Sequence, residues 1–495
     1  MSFSTYLLSA CTLIAVIAFS LSRRSKLDVK RVGRDPGFFG LNSVAAKKEF
    51  ATNGHHLVEA GYYELKNENF VVQTQDMERL VISPKYLPEL RMLPETKLSH
   101  SRALVERFVG WFSSVDIVLQ NHQHSDVCRL QLTQNLPNFL PEMATELGLA
   151  TSQFLEKCPV TSEDYTQFPT YGYVYSMVLA ISSRVFVSLP LARDQAWHDT
   201  VSAYLANVVE TANALRPWPK ALRPFIRHLV APKSRMANIL ANAKEILVPA
   251  IEERQALDHK QSDVLGFLVE TSEVVDPTSI ILKVLVLLAA ALHTSTMAAV
   301  HALFDLCEMP EYLEKLRKEA REALAEDGGS WKFSTMKKLR QLDSFMKESM
   351  RINQPETFSF GRIVVSPVTL SNGLKIPTGT YISMAAEAMS RDPTYYEDPH
   401  TFKGDRFFKN SPSKETQPLD DFTGIEPGNL AWGSGRLTCP GRWYGTTMIK
   451  LIVGSLLAEY EIKFPEGQTK RPPNLYNNGS IMPDPTQQLL LRKLK

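Results

Sequence analysis

One cysteine in this chain stands where a thiolate could do chemistry. Trp432-Gly433-Ser434-Gly435-Arg436-Leu437-Thr438-Cys439-Pro440-Gly441-Arg442 is a glycine-rich loop, and an amphipathic run from Tyr444 to Tyr460 begins just after it. A cysteine at the mouth of a helix feels the positive end of the dipole, which draws the thiol toward thiolate. Glycine lets backbone approach a bulky flat ligand and permits positive φ. A thiolate framed by Gly433, Gly435 and Gly441 suits an axial ligand to haem iron. The plain alternative is a small buried cysteine on an ordinary loop, where most free cysteines end up.

Two other groups of residues invite a chemical reading. Glu348 and Arg351 lie three apart, on one helix face. On a surface such a pair contributes little. Leu342, Phe345, Met346, Met350 and Ile352 flank it here, which predicts partial burial. A buried pair needs further hydrogen-bond partners, and Arg406 in Phe402-Lys403-Gly404-Asp405-Arg406-Phe407 can supply one. The second group is His293-Thr294-Ser295-Thr296, four polar side chains within an apolar run. Polar groups at the centre of a buried helix need partners or a task. For His293 the alternative is a core histidine bonded to a backbone carbonyl; for Thr294 it is plain helix packing.

The elements that must position these residues can be read in outline. Phe3 to Leu21 has no charged residue and precedes Arg23, Arg24, Lys26, Lys30, Arg31 and Arg34. Such a run can just span a bilayer, with the basic cluster marking its cytoplasmic end. A cleaved secretory signal fits less well, because the charge follows the apolar run. Asp35-Pro36-Gly37 then breaks the chain. Tyr62 to Leu65 and Phe70 to Gln73 read as short strands. Asp126 to Leu147, Tyr173 to Val187 and Lys233 to Ile251 carry helical spacing, with Leu215-Arg216-Pro217-Trp218-Pro219 as an interruption. Asp276-Pro277 marks a helix start, Asp as N-cap and Pro in the first turn. The helix it opens runs to Cys307 and is apolar on every face from Val284 to Leu292, which predicts a core helix rather than a span. Pro310 to Ala325 is a charged surface helix, and Ser334 to Asn353 another helix, holding Glu348 and Arg351. Phe360 to Val365 and Leu374 to Met384 read as strands, with Asn372-Gly373 as the turn between them. The stretch from Asp392 to Asn429 is rich in Pro, Gly and Asp and reads as an irregular meander.

Composition excludes several classes. A net charge of +2 gives no case for nucleic-acid binding. Cys11, Cys128, Cys158, Cys307 and Cys439 are scattered without a CxxC pair, which argues against a zinc site and a disulfide framework. A reducing compartment fits. No dinucleotide fingerprint is visible.

Taken together, these residues resemble the cytochrome P450 family, the haem-thiolate monooxygenases, over almost the whole length. The Cys439 loop matches the family's aromatic–glycine–arginine–Cys-x-Gly signature. Glu348 and Arg351 match its ExxR pair, and Arg406 the meander arginine that completes a triad. Ala290-Ala291-Leu292-His293-Thr294 falls where the family has its oxygen-binding kink. The resemblance implies a mainly α fold with a smaller β region, preceded by one transmembrane helix. The implied division is an anchor over residues 1–22, a basic linker over 23–40 and a haem-thiolate catalytic domain over 41–495. It implies haem as cofactor, with Cys439 on the iron and Trp432, Gly433, Gly435, Arg436 and Gly441 around it. Thr294 and His293 become the catalytic pair that delivers protons. Three departures stand out: Trp432 replaces the usual Phe, His293 stands at an acid position, and Leu437 stands where a basic residue usually binds a haem propionate. Arg362 is the best remaining propionate partner and Arg129 a second.

The finer resemblance is to fungal microsomal members of secondary metabolism, carried by Leu132-Thr133-Gln134-Asn135-Leu136, Ser182-Ser183-Arg184-Val185-Phe186 and Leu342-Asp343-Ser344-Phe345, among others. It implies a hydrophobic small-molecule substrate of terpenoid, meroterpenoid or indole diterpene type. Electrons would come from NADPH through a separate cytochrome P450 reductase, with cytochrome b5 as a second donor. The implied location is the endoplasmic reticulum membrane, single-pass, with the catalytic domain facing the cytosol. The pocket is expected to draw on Leu288, Ala291, Leu292 and Phe358, and on the loops near Leu93 to His100, Leu215 to Leu222 and Gly479 to Met482. A haem-thiolate isomerase or dehydratase without reductase, and a non-catalytic haem sensor, are the rival readings.

Overall fold

The helix opened by Asp276 runs through the middle of the molecule. Asp276 accepts hydrogen bonds from the backbone N–H groups of Thr278 and Ser279, at 3.0 and 3.3 Å, so the start is capped as expected. The computed structural model describes residues 27–37, 42–230, 233–257, 262–408 and 421–494. The stretch expected to form the membrane anchor, Phe3 to Leu21, lies outside them. Among the described residues one helix is long and apolar enough to cross a membrane, and it is this central one. Its packing inside the protein makes it a core helix.

The principal helices are α1 (Ser43–Glu64), α2 (His100–Arg107), α3 (Thr133–Leu155), α4 (Thr170–Val187), α5 (Gln195–Leu215), α6 (Arg223–Val230), α7 (Lys233–Ala256), α8 (Pro277–Glu308), α9 (Pro310–Glu326), α10 (Arg340–Ile352) and α11 (Arg442–Glu459). The central helix, α8, touches α4, α5, α7, α10 and α11. Each of those neighbours places apolar side chains in one continuous core with it.

The β structure sits to one side. Strands β1 (Lys30–Val32), β2 (Phe70–Gln73), β3 (Glu78–Val81), β4 (Leu98–Ser99), β6 (Ser359–Val364) and β9 (Tyr381–Met384) form a six-stranded sheet ordered β1-β2-β3-β9-β6-β4. Strands β5 (Thr166–Pro169), β10 (Tyr460–Lys463) and β13 (Gln488–Lys493) make a second sheet ordered β10-β13-β5. Two hairpins, β7 (Val368–Thr369) with β8 (Lys375–Ile376) and β11 (Leu475–Asn477) with β12 (Ser480–Met482), complete it. The first sheet has its own apolar core, with Phe70, Leu80, Ile82, Phe358 and Ile382 among its members.

Four sequence expectations change at this level. Tyr62 to Leu65 is not a strand: it ends α1, whose buried residues Phe50, Gly54, Val58 and Tyr62 repeat every four positions. That spacing is helical, and a four-residue window is too short to reveal it. Ser334 to Asn353 is two helices, Phe333–Lys338 and α10, separated at Leu339, which leaves the helical region with ψ 62°. Leu374 to Met384 is two strands, and the Asn372-Gly373 turn joins β7 to β8 rather than β6 to β9. The run from Asp126 to Leu147 is helical, but Cys128–Leu132 is a π turn and the helix continues to Leu155.

Candidate active site

The cysteine loop is built from below, by α10 and the meander. Glu348 and Arg351 are wholly buried and bidentate: Arg351 Nε and Nη2 donate to the two carboxylate oxygens at 2.7 and 2.8 Å. Arg351 Nη1 donates to the carbonyls of Ser390 and Pro399 at 2.6 and 2.7 Å. Arg406 Nε bridges both oxygens of Glu348 at 3.1 and 3.0 Å, and its Nη atoms donate to the carbonyls of Glu397, Asp398 and Thr401. Two guanidinium groups thus share one carboxylate, and the excess positive charge is spread over backbone carbonyls. That satisfaction is what makes such a buried group tolerable.

The scaffold passes directly to the loop. At the end of α10, Gln354 Nε2 donates to Asn429 Oδ1 at 3.0 Å, and the same oxygen accepts from the Ala431 N–H at 3.1 Å. Ser359 Oγ holds the Leu430 carbonyl at 2.8 Å. The Cys439 N–H then donates to the Trp432 carbonyl at 2.8 Å, closing the loop. Gly435 has φ +70°, and a Cβ there would lie 2.3 Å from the carbonyl oxygen of Arg91. The Arg436 N–H donates to that same oxygen at 3.0 Å. The second glycine of the loop therefore serves a close backbone contact that no side chain could share.

Cys439 is half-buried at the mouth of α11. Burial raises its thiol, while the backbone N–H groups of Gly441 and Arg442 and the Arg442 charge pull it back toward thiolate. Trp432 is anchored by its indole N–H to the Phe422 carbonyl at 2.8 Å. A Cβ on Gly445 would meet the Trp432 ring at 3.6 Å and Ser295 Oγ at 3.9 Å. This contact seats the first turn of α11 against α8, one residue from Thr294.

The middle of α8 is most open along one strip, with Val286, Ala289 and His293 partly covered beside it. Leu288 and Leu292 are completely covered, whereas Ala290 and Thr294 are exposed, with Leu287, Ala291 and Ala298 half-covered between them. These five positions repeat at three and four residues and share one face. The expectation that Leu288 and Leu292 line a pocket is therefore corrected. They point into the core, and the open face is the small-residue one. Thr294 Oγ1 donates to the Ala290 carbonyl at 2.8 Å. Neighbouring His293 is held below its ordinary pKa by burial and then by the Arg107 charge.

Arg362 lies in β6 and is nearly buried, at 4% exposure. Its Nη1 donates to the Gly361 carbonyl at 2.7 Å and approaches His100 Nδ1 at 3.1 Å. Burial lowers Arg362 to about 10. Burial and then the Arg362 charge push His100 down to about 3, so its ring is neutral. No carboxylate is hydrogen-bonded to this guanidinium among the described residues. Arg129, by contrast, is exposed and bonded to Asp126 at 2.6 Å, and Arg436 is exposed too. Arg129 follows Cys128, which lies within electrostatic reach of Cys439, and Arg436 stands on the Cys439 loop itself.

These features fit a haem. A half-buried thiol with two backbone N–H groups, an uncovered small-residue strip and a buried guanidinium without a hydrogen-bonded carboxylate match its iron, its flat face and a propionate. A Cβ on Gly441 would find nothing within 4 Å, which leaves room on the cysteine side. His100 was not singled out in the sequence as an anion partner. Its only sequence signal is its place at the end of a loop expected near the pocket.

Fold and site together define a haem-thiolate oxygenase. Residues 91–491 match the family Cytochrome P450. The chain is 36% identical to cytochrome P450 monooxygenase AN1598 of Emericella nidulans over 445 residues, 88% of this chain and 82% of that protein. It is 30% identical to cytochrome P450 monooxygenase paxP of Penicillium paxilli, over 92% of this chain and 88% of that one. It is 29% identical to ent-kaurene oxidase P450-4 of Gibberella fujikuroi, over 90% and 88%. The chain belongs to the cytochrome P450 family. The family is one of haem-thiolate oxidoreductases that draw electrons from NADPH through a reductase.

Proposed function

We propose that this protein is a membrane-anchored monooxygenase that inserts one atom of O2 into a hydrophobic small molecule. The substrate class is a fungal secondary metabolite of terpenoid, meroterpenoid or indole diterpene type. Similarity to an ent-kaurene oxidase supports the terpenoid part of this reading. The observation that carries the reading is Cys439, its sulfur served by two backbone N–H groups, on a loop packed beside the uncovered Ala290–Thr294 strip.

Cys439 would hold the iron, with Trp432, Gly433, Gly435 and Gly441 shaping the loop around it. Arg362, assisted by neutral His100, would take a propionate. When bound, the haem supplies oxygen activation, and the thiolate donates electron density that favours O–O cleavage. The chain's own work is binding, orientation and proton control. The small side chains of Ala290 and Ala291 leave substrate room beside Thr294. The Thr294 hydroxyl, now turned to the Ala290 carbonyl, would rotate to hold and pass a proton from its Oγ1. His293, kept neutral by burial and the Arg107 charge, would sit beside it as a transient proton relay.

Reduced protein with carbon monoxide should give the red-shifted Soret band of a thiolate ligand, and Cys439→Ser should lose it. Retention of that band in Cys439→Ser would remove the assigned ligand. We further propose residues 1–22 as a single-pass anchor, 23–40 as a linker and 41–495 as the catalytic domain on the cytosolic side of the endoplasmic reticulum. On that topology the Asn478-Gly479-Ser480 sequon stays unmodified. Sugar on Asn478 would reverse the orientation. The electron partner would be a membrane NADPH–cytochrome P450 reductase, assisted by cytochrome b5.

A further inference from the structure

Above the uncovered strip of α8 lies a second group of charges, and it does not balance. The turn between α5 and α6 folds over the C-terminal end of α2. Leu215 and Ala212 pack there on Val109, with Phe112 and Ile226 at the edge. Arg216 Nε and Nη2 both donate to the Arg107 carbonyl, at 3.1 and 2.8 Å. Its Nη1 has only Asn213 Oδ1 at 3.5 Å. Arg223 donates to the carbonyls of Trp218 and Arg216 at 3.0 and 3.3 Å. Both arginines are buried, at 9% and 6% exposure, and neither is hydrogen-bonded to a carboxylate among the described residues.

The neighbouring charges are already engaged. Asp76 bonds Arg79 at 3.3 Å, deep in the sheet. Arg107 pairs with Glu356 and reaches Ser480 Oγ at 3.3 Å. Glu106 is taken by Lys220 at 2.7 Å. Against the buried Arg79, Arg216 and Arg223 and the half-buried Arg107 stand Asp76 and Glu356, an excess of two positive charges among the described residues once the Glu106–Lys220 pair is set aside. Asp76 and Glu356 lie within electrostatic reach of Arg216, and Glu106 and Asp76 within reach of Arg223, while Arg107 and Arg79 oppose the Arg216 charge. Capping the carbonyl end of α2 accounts for two nitrogens of Arg216. It does not account for a desolvated charge that no carboxylate bonds, which is costly to bury. Arg107 connects this group to the site below, since its charge is felt at His293 on α8. The Arg107–Glu356 pair is itself partly open, at 17% and 33%.

We propose that the arginine cluster where α2, the α5–α6 turn and the β11–β12 hairpin meet binds the carboxylate of an amphiphilic substrate. Arg216 and Arg107 hold the carboxylate, Arg223 supports Arg216 through its carbonyl, and the apolar body extends toward Thr294. A guanidinium pairs with a carboxylate in a planar, charge-assisted geometry, which suits this group better than a hydroxyl or ester. The inference rests on the monooxygenase reading and narrows it: the substrate is an acid, not a neutral hydrocarbon or alcohol.

The experiment uses full-length holoenzyme at pH 7.5, where a carboxylic acid is ionised. Dehydroabietic acid and hexadecanoic acid, each beside its methyl ester, are titrated while the haem Soret band and tryptophan fluorescence are followed. The acids should bind roughly tenfold or more tighter than their esters, one charge-assisted contact. Added salt should shrink the ratio, and Arg216→Gln should bring it near one while Arg216→Lys retains most of it. Should Arg216→Gln fail to fold, the wild-type ratio and its salt dependence still decide. Acids that bind no tighter than esters, or do not bind, overturn the proposal. So does a ratio that survives Arg216→Gln. A thiolate-type carbon monoxide spectrum in the same preparation tells this failure apart from failure of the monooxygenase reading.

Discussion

The region below Cys439 and the region above Thr294 use the same residue type in opposite ways. Below, Arg351 and Arg406 share the Glu348 carboxylate, and nearly every nitrogen of both guanidinium groups meets an oxygen of the protein itself. Above, Arg362, Arg216 and Arg223 are buried with backbone carbonyls, one amide oxygen and a neutral imidazole as their hydrogen-bond partners. A closed set of charges holds a shape. A set left positive has an affinity to spare for an anion. The contrast separates residues that build the site from residues that receive something in it.

The sharpest way to break the comparison is to open the closed side. Arg351→Ala leaves Glu348 buried with only Arg406 and the Lys403 N–H as partners, at a cost of about 3–5 kcal/mol, so the variant should fail to accumulate as holoprotein. Normal yield and normal melting temperature would show that the lower network is dispensable. The open side should behave the other way round. Arg362→Gln removes a desolvated charge, so the protein without haem should melt no lower than wild type. Its haem should nonetheless transfer to apomyoglobin roughly tenfold faster or more, because a charge-assisted propionate bond is lost. Leu437→His should leave retention equal or better. Fast haem loss from Leu437→His with none from Arg362→Gln would reverse the assignment.

Smaller effects belong to the strip between the two regions. Thr294→Ala should bind haem and substrate and still consume NADPH, with much of that consumption diverted to hydrogen peroxide, and Thr294→Ser should remain largely coupled. Unchanged product yield per NADPH in Thr294→Ala would return Thr294 to helix packing. His293 offers the finest test. Burial and Arg107 lower its pKa, so the folded protein binds this proton less readily than the unfolded chain. The neutral ring is then favoured across neutral pH, and any turnover step that needs it should be lost on the acid side, below about 6.5. His293→Ala should erase that inflection; a profile identical to wild type would exclude a proton role.

Much of the closed region was legible from residue type and spacing. Glu348, Arg351 and Arg406 could be grouped because a buried pair at three-residue spacing requires further partners. Cys439 could be placed because glycines on both sides of one cysteine mark a constrained loop. The start of α8 could be placed because Asp-Pro caps a helix locally, whatever the tertiary context. These are short-range facts, and the chain carries them in its order of residues. By contrast, α8 is apolar on every side from Val284 to Leu292, so no polar stripe marks which face is open. Only packing against α4, α10 and α11 turns Leu288 and Leu292 inward and leaves Ala290 and Thr294 uncovered. The end of α1 misled for a related reason, since four residues carry too little periodicity to tell a helix end from a strand. Arg362 could be singled out in the sequence, but the bonding partners of the arginines above the strip could not be read. Arg216 meets the Arg107 carbonyl across 109 positions of sequence, and Arg362 meets His100 across 262. Whether a guanidinium is paired or left without a carboxylate depends on which distant elements fold against it, and that is a property of the tertiary structure alone.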